Sequence, residues 1–226
     1  MLIVAEISGN HGGYLPKALE LIQRAAECGC DYAKFQYYSP ERMYASSEED
    51  LELYHRLAVP HDWLAPMFDC AHANNIGLFA SIFDTELLRH LIPYMPDVWK
   101  VASPQSTWLP EGLYRGILEG IPPTRRKDIV FSADARDIDR MRKIFPEGRA
   151  LYCPPDHPPF ITDRDFEEFG DYWGFSDHTP DLQAPLAFAA AGAKMIEKHL
   201  KLDDNCVDAD FSADVPTMRR LCQLLK

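Results

Sequence analysis

The chain has 226 residues, 46% of them hydrophobic, with a formal net charge of -12 at neutral pH. That length and apolar content can bury a substantial core, and the acidic balance excludes a broad nucleic-acid or anionic-membrane surface while leaving room for a local basic pocket. The six cysteines form no CxxC pair, and Cys28 and Cys30 offer only a CxC spacing at a helix end, so neither a zinc ribbon nor a disulfide framework is indicated.

The N-terminal "MLIVAEISGN" is apolar for five residues and then meets Glu6, too short for the apolar region of a signal peptide and without its basic flank. No later run approaches membrane-spanning length, so a soluble cytoplasmic protein with reduced thiols is expected. The same segment reads as a first strand, "LIVAEI". A helical pattern follows in "PKALELIQRAAECG", with Pro16 in its first turn and Gly29 at its end. The second strand, "YAKFQYY", leads into a long segment around residues 39 to 60 that is expected to lie as a loop over the mouth of the fold. Helical spacing resumes in "HDWLAPMFDCAHANN". Beyond it come the strand "GLFASIF", the helix "TELLRHLIPYM", the strands "VWKVAS" and "DIVFSA", and the helix "DIDRMRKIF". The strands "RALYC", "YWGFSD" and "AKMIEKHL" and a final helix "VPTMRRLCQLLK" complete the series. Eight strands alternating with helices, at about 28 residues per unit, predict a single compact (β/α)8 TIM barrel over residues 1–226, with an open doubly wound sheet as the alternative.

Residues two apart on a strand share a face. Lys34 with Gln36, Ser176 with His178, and Glu197 with His199 therefore form inward pairs near C-terminal strand ends, where such barrels carry their chemistry. Lys34 and Lys100 sit in apolar strands, and a buried ammonium needs an anion. Two partners are open: an internal carboxylate, Glu6 or Glu197, or a ligand phosphate or carboxylate shared with Ser81, Ser103, Ser132 and Ser176. His178 and His199 lie on neighbouring strands about 4.8 Å apart, close enough to share a divalent ion such as Mn2+ or Mg2+ completed by water and carboxylate oxygens. His11, in "GNHGG", is a third candidate because strand one follows strand eight around a closed barrel. His55, His61, His72 and His90 read as surface or packing residues. "GNHGG" lacks the spacing of a phosphate-binding or dinucleotide loop, and the adjacent Ser176, Asp177 and His178 do not make a triad by adjacency.

Together, "IVAEISGNHGG", "AKFQYY", "KVAS", "FSDHT" and "MIEKHL" resemble the N-acetylneuraminate (sialic acid) synthase family, whose strands read approximately AEIGxNHxG, VKFQ, KIASG, YSDHT and IEKHF. The resemblance runs in order along nearly the whole chain, as far as "VDADFSAD". It implies a barrel that condenses phosphoenolpyruvate with an open-chain N-acyl amino sugar and releases phosphate, using a divalent metal: Mn2+, with Mg2+ or Co2+ as alternatives. By position it assigns Lys34, Ser81, Lys100, Ser103, Ser132 and Ser176 to phosphoenolpyruvate, and His178 and His199 to the metal and catalysis. Glu6, Gln36 and Asp208 fall where the family contacts the amino sugar, with Glu6 and Asp208 as catalytic groups.

Several positions depart from that pattern. Pro154 and Pro155 stand where the family has Thr followed by Ser or Asn, Asp134 stands within "FSADA" where STGM is frequent and is expected close to a site meant for an anion, Gln105 replaces a Glu, and His157 replaces a Tyr. The chain is expected to lack the antifreeze-like domain that follows the barrel in many members, so closure of the sugar end is expected from the 39 to 60 segment, from a partner chain in a homodimer or as a separate capping subunit, or not at all. Competing readings are a metal-dependent sugar isomerase, epimerase or aldolase, and a degenerate barrel acting as a binding subunit.

Overall fold

The computed structural model of the chain describes residues 1–43, 47–103 and 111–226. Its strands are β1 (Leu2–Glu6), β2 (Tyr32–Tyr37), β3 (Gly77–Ile82), β4 (Trp99–Val101), β5 (Ile129–Ala133), β6 (Arg149–Tyr152), β7 (Gly174–Asp177) and β8 (Met195–His199). All pair in parallel with their sequence neighbours, and β8 pairs with β1, closing the barrel. The doubly wound alternative is thereby removed.

The helices are α1 (Leu15–Cys28), α2 (Glu48–Leu57), α3 (Leu64–Ala73), α4 (Thr85–Leu91), α5 (Glu111–Gly120), α6 (Ile138–Ile144), α7 (Asp163–Phe169), α8 (Gln183–Ala190) and α9 (Val215–Leu225). Helix α1 buries Ala18, Leu21, Ile22 and Ala25, the stripe expected of an amphipathic helix packed on a sheet. It stops at Gly29, whose φ of 91° is a left-handed conformation that glycine adopts without a Cβ penalty. The 39 to 60 segment is not the loop expected from sequence. Ser47 caps α2 by accepting from the Asp50 N–H, with Glu48, Glu49 and Asp50 in the first turn. No helix among the described residues is long and apolar enough to cross a membrane.

Two apolar cores result. The larger fills the space between barrel and helices. The smaller lies inside the barrel, where Val4, Phe79, Val98, Val130, Leu151 and Met195 pack as a floor. Two residues further along each of those strands, on the same face, stand Glu6, Ser81, Lys100, Ser132, Cys153 and Glu197. The barrel interior thus changes from apolar to polar in one step of the strand repeat.

Gly174 belongs to the floor for a steric reason. A Cβ there would approach the Met195 carbonyl oxygen to 2.4 Å and Leu151 Cδ2 to 2.7 Å. Gly174→Ala is therefore expected to destabilise the barrel by about 1–3 kcal/mol through overpacking, seen as a lower denaturant midpoint. A midpoint equal to that of the parent would show that the floor yields.

Candidate active site

The polar layer opens at the C-terminal ends of the strands into a cavity of about 200 Å³. Glu6, Lys34, Gln36, Ser81, Lys100, Ser103, Ser132, Ser176, His178, His199 and Asp208 all line it, joined by Glu197, Cys153, His157, Tyr54, Met43 and Phe211. The candidate residues named from sequence converge on one space, with the exception of His11.

Lys34 sits at the centre. Its ammonium lies 2.5 Å from Glu6 Oε2 and 2.8 Å from Glu197 Oε1, and all three side chains are nearly inaccessible. Burial opposes the charge of Lys34, but Glu197 and Glu6 outweigh it and hold the group above the usual lysine range. Lys100 is as deeply buried and less well paired. It donates to Ser132 Oγ at 2.8 Å and stands 3.8 Å from Glu197 Oε1. Burial therefore dominates there and pushes Lys100 down to about 8, with Glu197 only partly restoring it. Glu197 itself is disfavoured by burial yet held down to about 2 by Lys100 and Lys34, and it also accepts from Ser176 Oγ at 2.8 Å. Its second oxygen, Oε2, is buried without a hydrogen-bond partner. Both partners left open by the sequence are thus answered in one respect: Lys34 pairs with Glu6 and Glu197 together.

At the other side of the cavity the His178 and His199 rings lie 5.0 Å apart. Nδ1 of His178 is buried and has no hydrogen-bond partner. Nδ1 of His199 is 3.0 Å from Asp208 Oδ2, although neither atom makes an aligned hydrogen bond. Burial, then the neighbouring His199 and His157, hold His178 well below the usual imidazole range, so it presents a neutral ring. Imidazole nitrogens beside a carboxylate are a donor set that suits a divalent ion. His178, His199 and Asp208 could hold one, although no group of three or more such side chains forms a ready cage among the described residues.

The frame that aims these groups comes from the residues between them. In "SDHT", Ser176 and His178 face inward while Asp177 and Thr179 face the helices. Lys198, outward on β8 and directly paired in register with Asp177, donates to Asp177 Oδ2 at 2.7 Å and to the carbonyls of Thr179 at 2.6 Å and Phe211 at 3.2 Å. One buried ammonium therefore ties the β7 end that carries His178 to the segment that carries Asp208 and Phe211. Asn10 completes the anchorage: its Nδ2 donates to the Leu200 carbonyl and Ser212 Oγ, and its Oδ1 accepts from the Asp208 N–H.

Three expectations need correction. His11 does not line the cavity: its Nδ1 accepts from the Gly13 N–H at 3.0 Å and its ring packs edge-on against Trp63. Asp134 does not line the cavity, and Arg136 Nε donates to its Oδ2 at 2.7 Å. The 39 to 60 segment contributes a helix, with Met43 and Tyr54 reaching the cavity. Gln105 lies outside the described residues. Glu197 and His157 are functional candidates that strand reading underweighted. His157, on the segment after Pro154 and Pro155, packs against His178 with ring centres 3.9 Å apart and planes tilted by 55°.

A closed (β/α)8 barrel with buried lysines, carboxylates and imidazoles at its C-terminal mouth defines the catalytic type of this fold. The profile of the NeuB family matches residues 21–115 and 164–226, most of the chain, and the chain belongs to the NeuB family. It is similar to the pseudaminic acid synthase of Campylobacter jejuni, 28% identical over all of this chain and 73% of that one. It is also similar to the human N-acetylneuraminate-9-phosphate synthase, 27% identical over 94% of this chain and 65% of the relative. The solved N-acetylneuraminic acid synthetase of Leptospira borgpetersenii, in complex with citrate, superposes with a TM-score of 0.88 at 24% identity, over 99% of this chain and 82% of that one, and shares the fold. With these relatives, the protein is a synthase-like enzyme.

Removing the cation of the Lys198 tether would leave Asp177 buried and unpaired. Lys198→Met is expected to cost about 3–5 kcal/mol in chemical denaturation, with the double variant Asp177→Asn, Lys198→Met recovering much of it. Equal losses in the single and double variants would mean that the pair is not coupled.

Proposed function

We propose that the enzyme condenses phosphoenolpyruvate with an open-chain N-acyl amino sugar to give a sialic-acid-like nonulosonate and phosphate, with residues 1–226 acting as a single catalytic domain. The observation that carries this reading is the pairing, within one small cavity, of two buried lysines and several hydroxyls with a separate imidazole and carboxylate end. A phosphate ester needs the first set, and a carbonyl acceptor with hydroxyls suits the second.

Lys34, Lys100, Ser132 and Ser176, with Ser81 and Ser103 beside them, bind and orient the phosphate and carboxylate of phosphoenolpyruvate. Gln36, Glu6 and Asp208 position the acceptor hydroxyls, and Tyr54 and Met43 form a wall above them that limits water. When bound at His178 and His199, a divalent ion such as Mn2+ supplies a Lewis acid for the acceptor carbonyl. C3 of phosphoenolpyruvate forms the new bond to the aldehyde carbon, water adds at C2, and phosphate leaves. Of the two protons of that water, one ends on the aldehyde oxygen and the other leaves with the phosphate as its C2–O bond breaks and the C2 carbonyl forms; Glu6 and Asp208 are the carboxylates proposed to move them. The test is phosphate release from phosphoenolpyruvate against a panel of N-acyl amino sugars, with and without Mn2+. Release that needs both acceptor and ion supports the reading, whereas acceptor isomerisation without consumption of phosphoenolpyruvate would replace it with the isomerase or epimerase reading.

Lys100 also gives a pH dependence. Because its folded value is lowered to about 8, the charged form that a phosphate requires is present below that pH and is lost above it. Phosphoenolpyruvate affinity measured by calorimetry at fixed Mg2+ is expected to fall above about pH 8, approaching tenfold per pH unit at most, and Lys100→Arg should remove the fall. A flat profile in the parent would show that Lys100 makes no charged contact.

A further inference from the structure

The cavity that is to bind an anion is not electropositive. Its wall carries Lys34 and Lys100 against Glu6, Glu197 and Asp208, so the carboxylates outnumber the ammonium groups. Glu197 is the residue that makes this matter. Its Oε1 already receives Lys34 at 2.8 Å and Ser176 at 2.8 Å, with Lys100 at 3.8 Å, the same donors that a phosphate would use. The carboxylate occupies the electrostatic position of a ligand anion. Burial amplifies the conflict, since charges in a site of low dielectric interact much more strongly than in water. A phosphate entering beside Glu197 meets a like charge a few ångströms away.

We propose that Glu197 is a built-in counter-ion that competes with the ligand anion for Lys34 and Lys100, so that the lysine end accepts a phosphate strongly only when a divalent cation sits at the His178, His199 and Asp208 end. The inference rests on the reading of the lysine end as a phosphate site and adds a coupling rule to it. Glu197 acts as a positioning residue. Before ligand arrives it keeps Lys34 charged and aimed, and on binding it yields part of its contact to the incoming anion. The cation supplies the positive charge that the wall lacks. By linkage the effect is reciprocal: the anion must raise cation affinity by the same factor as the cation raises anion affinity.

The probes are inorganic phosphate and Mn2+. In the parent protein, phosphate affinity by calorimetry is expected to rise by about tenfold or more when Mn2+ is saturating, and Mn2+ affinity, read from the free-ion paramagnetic resonance signal, to rise equally with phosphate present. Glu197→Gln keeps the acceptor oxygen for Ser176 and removes the charge. It should bind phosphate without Mn2+ about tenfold or more tighter than the parent and show little further gain from the ion. Equal phosphate affinity with and without Mn2+ in the parent overturns the coupling, and unchanged or weaker ion-free binding in Glu197→Gln overturns the competition. Should Glu197→Gln fail to fold, the parent measurements decide the coupling and Glu197→Asp, which withdraws the carboxylate by one methylene, decides the competition by the same shift toward tighter ion-free binding. None of these outcomes depends on condensation activity, so a coupled phosphate site with no synthase turnover would refute the proposed reaction and leave the coupling standing.

Discussion

The contact on which the rest of the barrel mouth depends is the Lys34 ammonium held between Glu6 on β1 and Glu197 on β8. Three charges this deeply buried would be costly singly. Held within hydrogen-bond distance of one another they become a fixed scaffold, spanning the strand pair that closes the barrel and its neighbour β2. Lys100 enters the same network at longer range through Glu197, which is why one lysine is held above its usual range and the other below it. Glu197 is thus the carboxylate that both cations share.

That network can exist because of what lies below it. The floor of Val4, Phe79, Val98, Val130, Leu151 and Met195 closes the barrel beneath the charges with buried apolar side chains. Along each strand the inward residues go from apolar to polar while the outward ones stay committed to the helix core. At β7 and β8 the outward positions take on a second task. Asp177 and Lys198 pair behind His178 and His199, so the frame of the histidine end is an ion pair fully enclosed by protein.

The strand and helix alternation was legible in the sequence because parallel barrel strands are short apolar runs and because their functional ends are polar. Lys34, Lys100, His178 and His199 stood out for the same reason, as polar residues at inward phase. Asp208 had no such signal. It lies on the irregular segment between Leu200 and Ala213, held by Asn10 and the Leu200 to Ala213 bridge, and strand spacing says nothing about such a position; only the family resemblance pointed to it. His11 was misplaced because a chain turning sharply after β1 no longer follows the strand's phase. Asp134 was misjudged because the guanidinium that neutralises it comes from Arg136, two residues on, through a local turn. The helix at Glu48–Leu57 was overlooked despite its Ser47 cap and acidic first turn, since the segment has too weak an apolar stripe to reveal itself by periodicity; only Leu57 is buried in it.

The central claim is that this polar layer is the anion site, with Glu197 yielding to the ligand. A crystal structure of the protein with phosphoenolpyruvate and Mn2+ tests it most directly. The account predicts the phosphate among Lys34, Lys100, Ser132 and Ser176, with the ion at His178 and His199 and the Lys34 to Glu197 contact longer than the 2.8 Å of the free protein. A phosphate bound elsewhere, with that contact unchanged, would contradict it.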